Sequence, residues 1–261
     1  MTVPPIRAVV LDMDGLLIDT EPVWRTAARD VLAGLGIDLT DTDLLDTTGV
    51  RVDEMVATFL ARQPQSAPPE PSASADQITP PAPPAPAEVA DRITPPAPPG
   101  PPGPAEVADR ITDLVVAYVS RAGEPMPGVP EAIALFRRAG LRLAIASSSP
   151  LRLIDAVCAR LNLDIEIRCT ALDEAHGKPA PDVYVAAARR LRLSPARCLA
   201  VEDSPAGVVA AKAAGMTCVA VPDPLLAGDP RYRRADLVLP SLTELDEQTL
   251  RSLCSLSSGR L

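Results

Sequence analysis

Five short apolar runs constrain the fold of this sequence more than any other feature: Ala8 to Leu11, Leu141 to Ala146, Cys198 to Val201, Cys218 to Val221 and Leu237 to Leu239. They lack the polar alternation of a strand with one wet face, so they read as parallel strands covered on both sides. The segments between them carry helix signals. Glu131 to Ala139 ends at Gly140, Leu151 to Leu161 follows Pro150, Asp182 to Leu191 follows Pro181, and Ala206 to Ala214 follows Ser204-Pro205 and stops at Gly215. Strands alternating with helices predict an α/β fold, a doubly wound parallel sheet with helices on both faces. From Glu21 to Ser120 no strand is visible, while Glu21 to Ala33 and Val52 to Arg62 read as amphipathic helices. The expected organisation is a core of residues 1–15 and 126–261 with a helical cap, residues 16–125, inserted after the first strand.

Inside that cap, 16 of the chain's 31 prolines fall between Pro64 and Pro104. Proline lacks the backbone donor and restrains its predecessor to extended geometry, so this insert is not expected to hold helix or sheet. It contains an imperfect repeat: Ala75 to Thr79, Ala90 to Thr94 and Ala108 to Thr112. Only the third copy escapes a following Pro-Pro and runs on to Ser120, which predicts a helix with Val107, Ile111, Leu114, Val115 and Tyr118 on one face.

Composition excludes several classes of partner. A net charge of −9 lacks the positive footprint needed to neutralise nucleic-acid phosphates or anionic lipid, so neither nucleic acid nor membrane is expected. The five cysteines include no closely spaced pair and read as reduced thiols. No apolar run is long enough for a signal peptide or a membrane span, and the expected location is cytoplasmic.

Open parallel sheets bind ligands beyond the carboxyl ends of their strands. There the sequence places Asp12-Met13-Asp14-Gly15, Ser147-Ser148-Ser149 and Glu202-Asp203-Ser204, with Gly177-Lys178-Pro179 in a loop before a helix. Taken singly, these are ordinary caps and turns. Together they describe a site for phosphate. Asp12, Asp14, Glu202 and Asp203 cannot share one pocket ionised without a counter-charge, and a hard divalent cation, magnesium, supplies it. Lys178 adds a fixed positive charge, and Ser147 offers a hydroxyl and neighbouring amides to a phosphate oxygen.

At these four motifs, in this order, the sequence resembles the haloacid dehalogenase superfamily. The resemblance implies that Asp12 is a nucleophile and Asp14 a general acid and base. It also implies that Ser147, Ser148 and Lys178 bind phosphate, and that Asp12, Asp14, Glu202 and Asp203 hold Mg2+. True dehalogenases lack the second aspartate, so Asp14 points to phosphate chemistry. The string from Asp12 to Pro22, with Gly49-Val50-Arg51 and Val201 to Gly207, is similar to the β-phosphoglucomutase-like branch with its helical cap. Ala61 to Pro64 and Asp229-Pro230-Arg231 extend the likeness to 2-deoxyglucose-6-phosphate and hexitol phosphatases. What this implies is a monomeric phosphatase acting on a small phosphorylated metabolite, with Glu21, Gly49 and Arg51 as cap residues that contact substrate. Arg51 is expected to meet a sugar hydroxyl or a distal anion.

His176, the sole histidine, reads as a solvated loop residue, and Trp24, the sole tryptophan, as packing between helices. One alternative is a sugar-phosphate mutase, which in the family relies on a histidine and a lysine of the cap. The chain's two lysines, Lys178 and Lys212, lie outside the expected cap, and that cap holds no histidine. The other alternative is an interaction scaffold that recruits partners through the proline-rich insert.

Overall fold

The computed structural model describes residues 6–62 and 102–256. Residues 63–101, and with them most of the proline-rich insert and its first two repeat copies, lie outside the described residues.

Six strands form one all-parallel sheet: β1 (Ala8–Leu11), β2 (Arg142–Ser147), β3 (Ile167–Thr170), β4 (Cys198–Glu202), β5 (Thr217–Ala220) and β6 (Leu237–Val238), in the order β3-β2-β1-β4-β5-β6. β1 is central, with Leu11 in register with both Ile145 and Val201. The residues that follow these three positions therefore emerge together at one edge. Around the sheet lie α5 (Val129–Arg138), α6 (Leu151–Arg160), α7 (Asp182–Arg190), α8 (Pro205–Ala213) and α9 (Glu247–Leu256). The helices α1 (Glu21–Ala33), α2 (Asp41–Asp46), α3 (Val52–Ala61) and α4 (Pro104–Ala122) come between β1 and α5.

The strands look unalternated in polarity, but they alternate in size. Val9, Leu11, Ile145, Leu199, Val201 and Val219 face the core shared with α5, α6 and the α1–α4 helices. On the other face Ala8, Ala144, Ala146, Cys198, Ala200, Cys218 and Ala220 meet the alanines of α7 and α8, with Val10 as the larger exception. Successive strand side chains point to opposite faces, so the sheet is thick on one side, and on the other two alanine-rich helices fit against small side chains at interior density.

Three elements were not legible in the sequence. β3 is an edge strand with the half-exposed Arg168 in its middle, so its pattern resembles a loop. α2 is short and rests on a capping box in which Thr40 and Asp43 exchange hydrogen bonds. α9 follows the last strand and closes one end of the core through Leu250 and Leu253. The helix expected from the third repeat is α4, which begins at Pro104, inside the span assigned to the insert. Its buried stripe differs from the expected one. Val107, Ala108, Ile111, Thr112, Val115 and Val119 are buried, whereas Leu114 is 49 % exposed and Tyr118 only half-buried. α4 is packed by α1 and α3 and also by α6, so the covered stripe follows the four-residue ridge from Val107 to Val119 and turns Leu114 outward.

The two chain crossings between the sheet and α1–α4 lie side by side. Ile18 bridges Asp14 and, in antiparallel sense, Pro125, and Met126 N–H donates to the Leu17 carbonyl at 3.1 Å. Among the described residues no helix is long and apolar enough to cross a membrane.

Candidate active site

The edge where β1, β2 and β4 end gathers the acidic and hydroxyl residues. Asp12 follows β1, Ser147 closes β2 with Ser148 and Ser149 beyond it, and Glu202 closes β4 with Asp203 and Ser204 beyond it. Asp12, Ser147, Lys178, Glu202 and Asp203 are all buried. A cavity roofed by α1, α2 and the loop before α3 is lined by Asp12, Asp14, Glu21, Ser147, Ser148, Gly49 and Asp203 among others.

The one lysine here is enclosed by carboxylates. Lys178 Nζ donates to Asp12 Oδ1 and, at 2.6 Å, to Glu202 Oε1, and it lies 5.2 Å from the centre of the Tyr184 ring. Burial alone would lower Lys178, but Asp12 and Glu202 outweigh it and hold the ammonium charged, above its ordinary range. Glu202 is fully engaged. Its Oε1 also accepts from the Tyr184 hydroxyl at 2.7 Å, and its Oε2 accepts from the Ser204 amide at 2.9 Å and the Ser204 hydroxyl at 3.0 Å.

Asp203 is the opposite case: both carboxylate oxygens are buried and have no hydrogen-bond partner. Oxygens of Asp12, Glu202 and Asp203 all lie within 4.8 Å of one another, an arrangement able to hold a metal ion. Three carboxylates thus face one ammonium. Burial raises Asp12 to about 7 against the pull of Lys178, and burial together with the Asp12 and Glu202 charges raises Asp203 well above the usual carboxylate range. Desolvation leads both shifts, and the neighbouring carboxylates add to it. The residues fit a hard divalent cation, since unpartnered buried oxygens beside a second carboxylate are what such an ion binds.

Asp14 sits apart from this cluster with four donors. Thr20 Oγ1 at 2.7 Å and Trp24 Nε1 at 2.9 Å bond its Oδ1, while Ser149 Oγ at 2.7 Å and Ser147 Oγ at 3.3 Å bond its Oδ2. Trp24 is therefore more than packing, because its indole edge contacts the expected acid and base and lines the cavity. Thr20, Trp24, Ser149, Tyr184 and Ser204 were all missed as site residues. Ser149 and Ser204 stood next to motifs already singled out, but nothing local marks a tyrosine on α7 as a partner of Glu202.

The expected cap residues divide. Glu21, the first residue of α1, lines the cavity 3.4 Å from Arg25, and burial with the nearby Asp14 charge raises its carboxyl to about 8. Gly49 also lines it, with its carbonyl accepting from Ser148 Oγ at 2.7 Å. Arg51 does not line it. Its guanidinium bonds Asp53 at 3.0 and 2.5 Å and reaches the Ala171 and Glu174 carbonyls at 3.3 Å each, so it is committed to joining α3 to the loop that leads to Lys178. His176 is exposed, with Nδ1 3.2 Å from Asp182 Oδ1.

A family model described as haloacid dehalogenase-like hydrolase matches residues 6–215, a span that contains every residue of this site. The chain belongs to the haloacid dehalogenase-like hydrolases. Among relatives of this hydrolase, hexitol phosphatase B of Escherichia coli (strain K12) is 36% identical over 248 residues, covering 94% of this chain and 96% of that one. Protein CbbY of Cereibacter sphaeroides is 31% identical over 253 residues, with 92% and 94% covered. A crystal structure of a CbbY variant from Rhodobacter sphaeroides in complex with xylulose-(1,5)bisphosphate superposes with a TM-score of 0.73 at 27% identity, covering 94% of this chain and 99% of that one.

Proposed function

We propose that this hydrolase is a magnesium-dependent phosphatase acting on a phosphorylated sugar or sugar alcohol, with Asp12 as nucleophile and Asp14 as general acid and base. The observation that carries the reading is the pairing of two unlike carboxylates in one cavity, Asp12 beside the unpartnered Asp203 and Asp14 held away by neutral donors. Environments that differ this much let one carboxylate attack while the other moves protons. The likeness to hexitol phosphatase B supports the substrate class.

Asp12, Asp203 and the backbone carbonyl of Asp14 would hold Mg2+, with Glu202 close by. When bound, the ion offsets charge on the phosphate oxygens. An Asp12 oxygen attacks phosphorus as the ester P–O bond breaks, and the departing alkoxide takes a proton from Asp14. Water then attacks the aspartyl phosphate and returns a proton to Asp14, releasing inorganic phosphate. Indole N–H only donates, so Trp24 keeps a donor on Oδ1 and the mobile proton is assigned to Oδ2, where the Ser147 and Ser149 hydroxyls are able to reverse their roles. Lys178, clamped by Glu202, keeps Asp12 oriented.

The mutase alternative finds no support, because no histidine or lysine lines the cavity among the described residues. The test is Asp12→Asn with p-nitrophenyl phosphate and Mg2+. Turnover falls by at least about 1,000-fold with the fold intact, and fast quench of the wild type traps phosphate on Asp12. Near-normal turnover in the variant ends the reading.

A further inference from the structure

The chain has three tyrosines, and two of them donate to adjacent residues of the site, Tyr184 to Glu202 and Tyr232 to Asp203. Both are buried, at 0 % and 4 % exposure, and neither lines the cavity. They come from different elements. Tyr184 stands in the first turn of α7, and Tyr232 in a 3-10 turn, Pro230–Arg234, that packs against α8. A buried phenol finds a hydrogen-bond partner, and here the two partners are the acidic pair at the end of β4.

Tyr184 acts on the lysine side of that pair. Its hydroxyl bonds Glu202 Oε1 at 2.7 Å, the oxygen that also accepts from Lys178, and its ring centre lies 5.2 Å from Lys178 Nζ. An ammonium has three donors. Asp12 and Glu202 take two of them, so the third is left for a phosphate oxygen, and its direction is only as fixed as Glu202 is.

Tyr232 acts on the metal side. Neither carboxylate oxygen of Asp203 has a hydrogen-bond partner, so the side chain takes its aim from its backbone and from packing against Gly15, where a Cβ would lie 2.2 Å from Oδ2. The Asp203 carbonyl accepts from the Tyr232 hydroxyl and, at 3.3 Å, from the Asp223 amide. Asp229 holds the turn that carries Tyr232. Its Oδ1 accepts from the Arg231 amide at 2.8 Å and its Oδ2 from the Arg231 guanidinium at 2.7 Å, which gives Asp229-Pro230-Arg231 a use in the site.

We propose that Tyr184 and Tyr232 are positioning residues that divide the acidic pair between them: Tyr184 sets Glu202, and through it Lys178, for the phosphate group, while Tyr232 sets Asp203 for the divalent cation. This rests on the phosphatase reading and extends it to two hydroxyls outside the cavity. Hydrogen bonds to the groups that hold an ion or ligand tune its affinity from a distance.

The experiment uses Tyr184→Phe and Tyr232→Phe in the full chain, with Tyr118→Phe on α4 as a control away from the site. Phenylalanine keeps the ring and removes only the hydroxyl. Each acceptor also keeps another donor, Lys178 for Glu202 and the Asp223 amide for Asp203, so the variants are expected to fold. Melting temperature is followed against Mg2+ and then, at saturating Mg2+, against inorganic phosphate, and neither titration depends on turnover. Tyr232→Phe is expected to raise the Mg2+ midpoint at least about fivefold and the phosphate midpoint by less than about twofold. Tyr184→Phe is expected to do the reverse, with a phosphate midpoint at least about fivefold higher and a Mg2+ midpoint within about twofold of wild type. The control should leave both midpoints in place. Unmoved midpoints in either variant, equal shifts of both, exchanged shifts, or a wild type whose melting ignores Mg2+ overturns the proposal. Turnover of p-nitrophenyl phosphate by the wild type is assayed separately: its absence sinks the phosphatase reading, whereas the roles of the two tyrosines are judged on the titrations.

Discussion

Gly207 is the residue whose replacement tests the lysine clamp most directly. A Cβ at this position would lie 1.6 Å from Glu202 Oε1 and 1.9 Å from Glu202 Cδ, where the carboxylate is held by Lys178, Tyr184 and Ser204. Alanine in a helix is worth about 1 kcal/mol over glycine, whereas forcing a methyl into a packed site costs about 1–3 kcal/mol, so crowding prevails. Gly207→Ala is expected to lower the melting temperature and, by displacing Glu202, to reduce turnover of p-nitrophenyl phosphate at least about tenfold. Calorimetry and steady-state kinetics check both, and a stabilised, fully active variant would refute the clamp. A glycine inside Ser-Pro-Ala-Gly is visible in the sequence, but the reason for it is not, because the carboxylate it accommodates arrives through tertiary folding.

At the scale of elements, the join between α3 and the loop before Lys178 decides what Arg51 does. From sequence alone Arg51→Ala should hurt sugar phosphates more than aryl phosphates. Its bonds to the Ala171 and Glu174 carbonyls give a different expectation, a similar loss of about tenfold in kcat/KM on both, because both need Lys178 in place. Arg51→Lys should not recover it, since one ammonium lacks the fork that spans two carbonyls and Asp53. Parallel kinetics on p-nitrophenyl phosphate and a hexitol phosphate read this out, and a loss confined to the hexitol ester would return Arg51 to the substrate.

For the molecule as a whole, the buried carboxylates make stability depend on pH and on metal. Without an ion, Asp12 titrates near 7 in the folded chain against 3.8 for an ordinary aspartate. Over that window the folded state keeps a proton that the unfolded chain has lost, so stability falls as pH rises from about 4 to 7 and levels off above. Asp203, also raised by its burial, acts in the same direction. A bound divalent cation replaces those protons. Mg2+ is therefore expected to raise the melting temperature by about 5–10 °C at pH 8 when present at about 100 times its Kd, and by less at pH 6 where protons compete. Melting curves in Mg2+ and in EDTA at both pH values measure it, with Asp203→Asn expected to erase most of the gain. An equal gain at both pH values, or none, would mean the acidic cluster is not the ion's site.

The sequence by itself determined the parallel sheet and the edge at which its chemistry gathers. β1, β2, β4, β5 and β6 are runs of apolar residues too short and too continuous to do anything but cross a buried sheet, and the site motifs follow three of them directly. That information is local, carried by adjacent residues. What only the tertiary structure decided is how the gathered residues divide their work: Glu202 toward Lys178 and Tyr184, Asp203 left unpartnered, Asp14 under Trp24, and Arg51 joined to the Ala171 and Glu174 carbonyls. The physical reason is that a hydrogen bond or ion pair is set by distance across elements far apart in the chain, and neither residue type nor spacing encodes which partner will be within 3 Å.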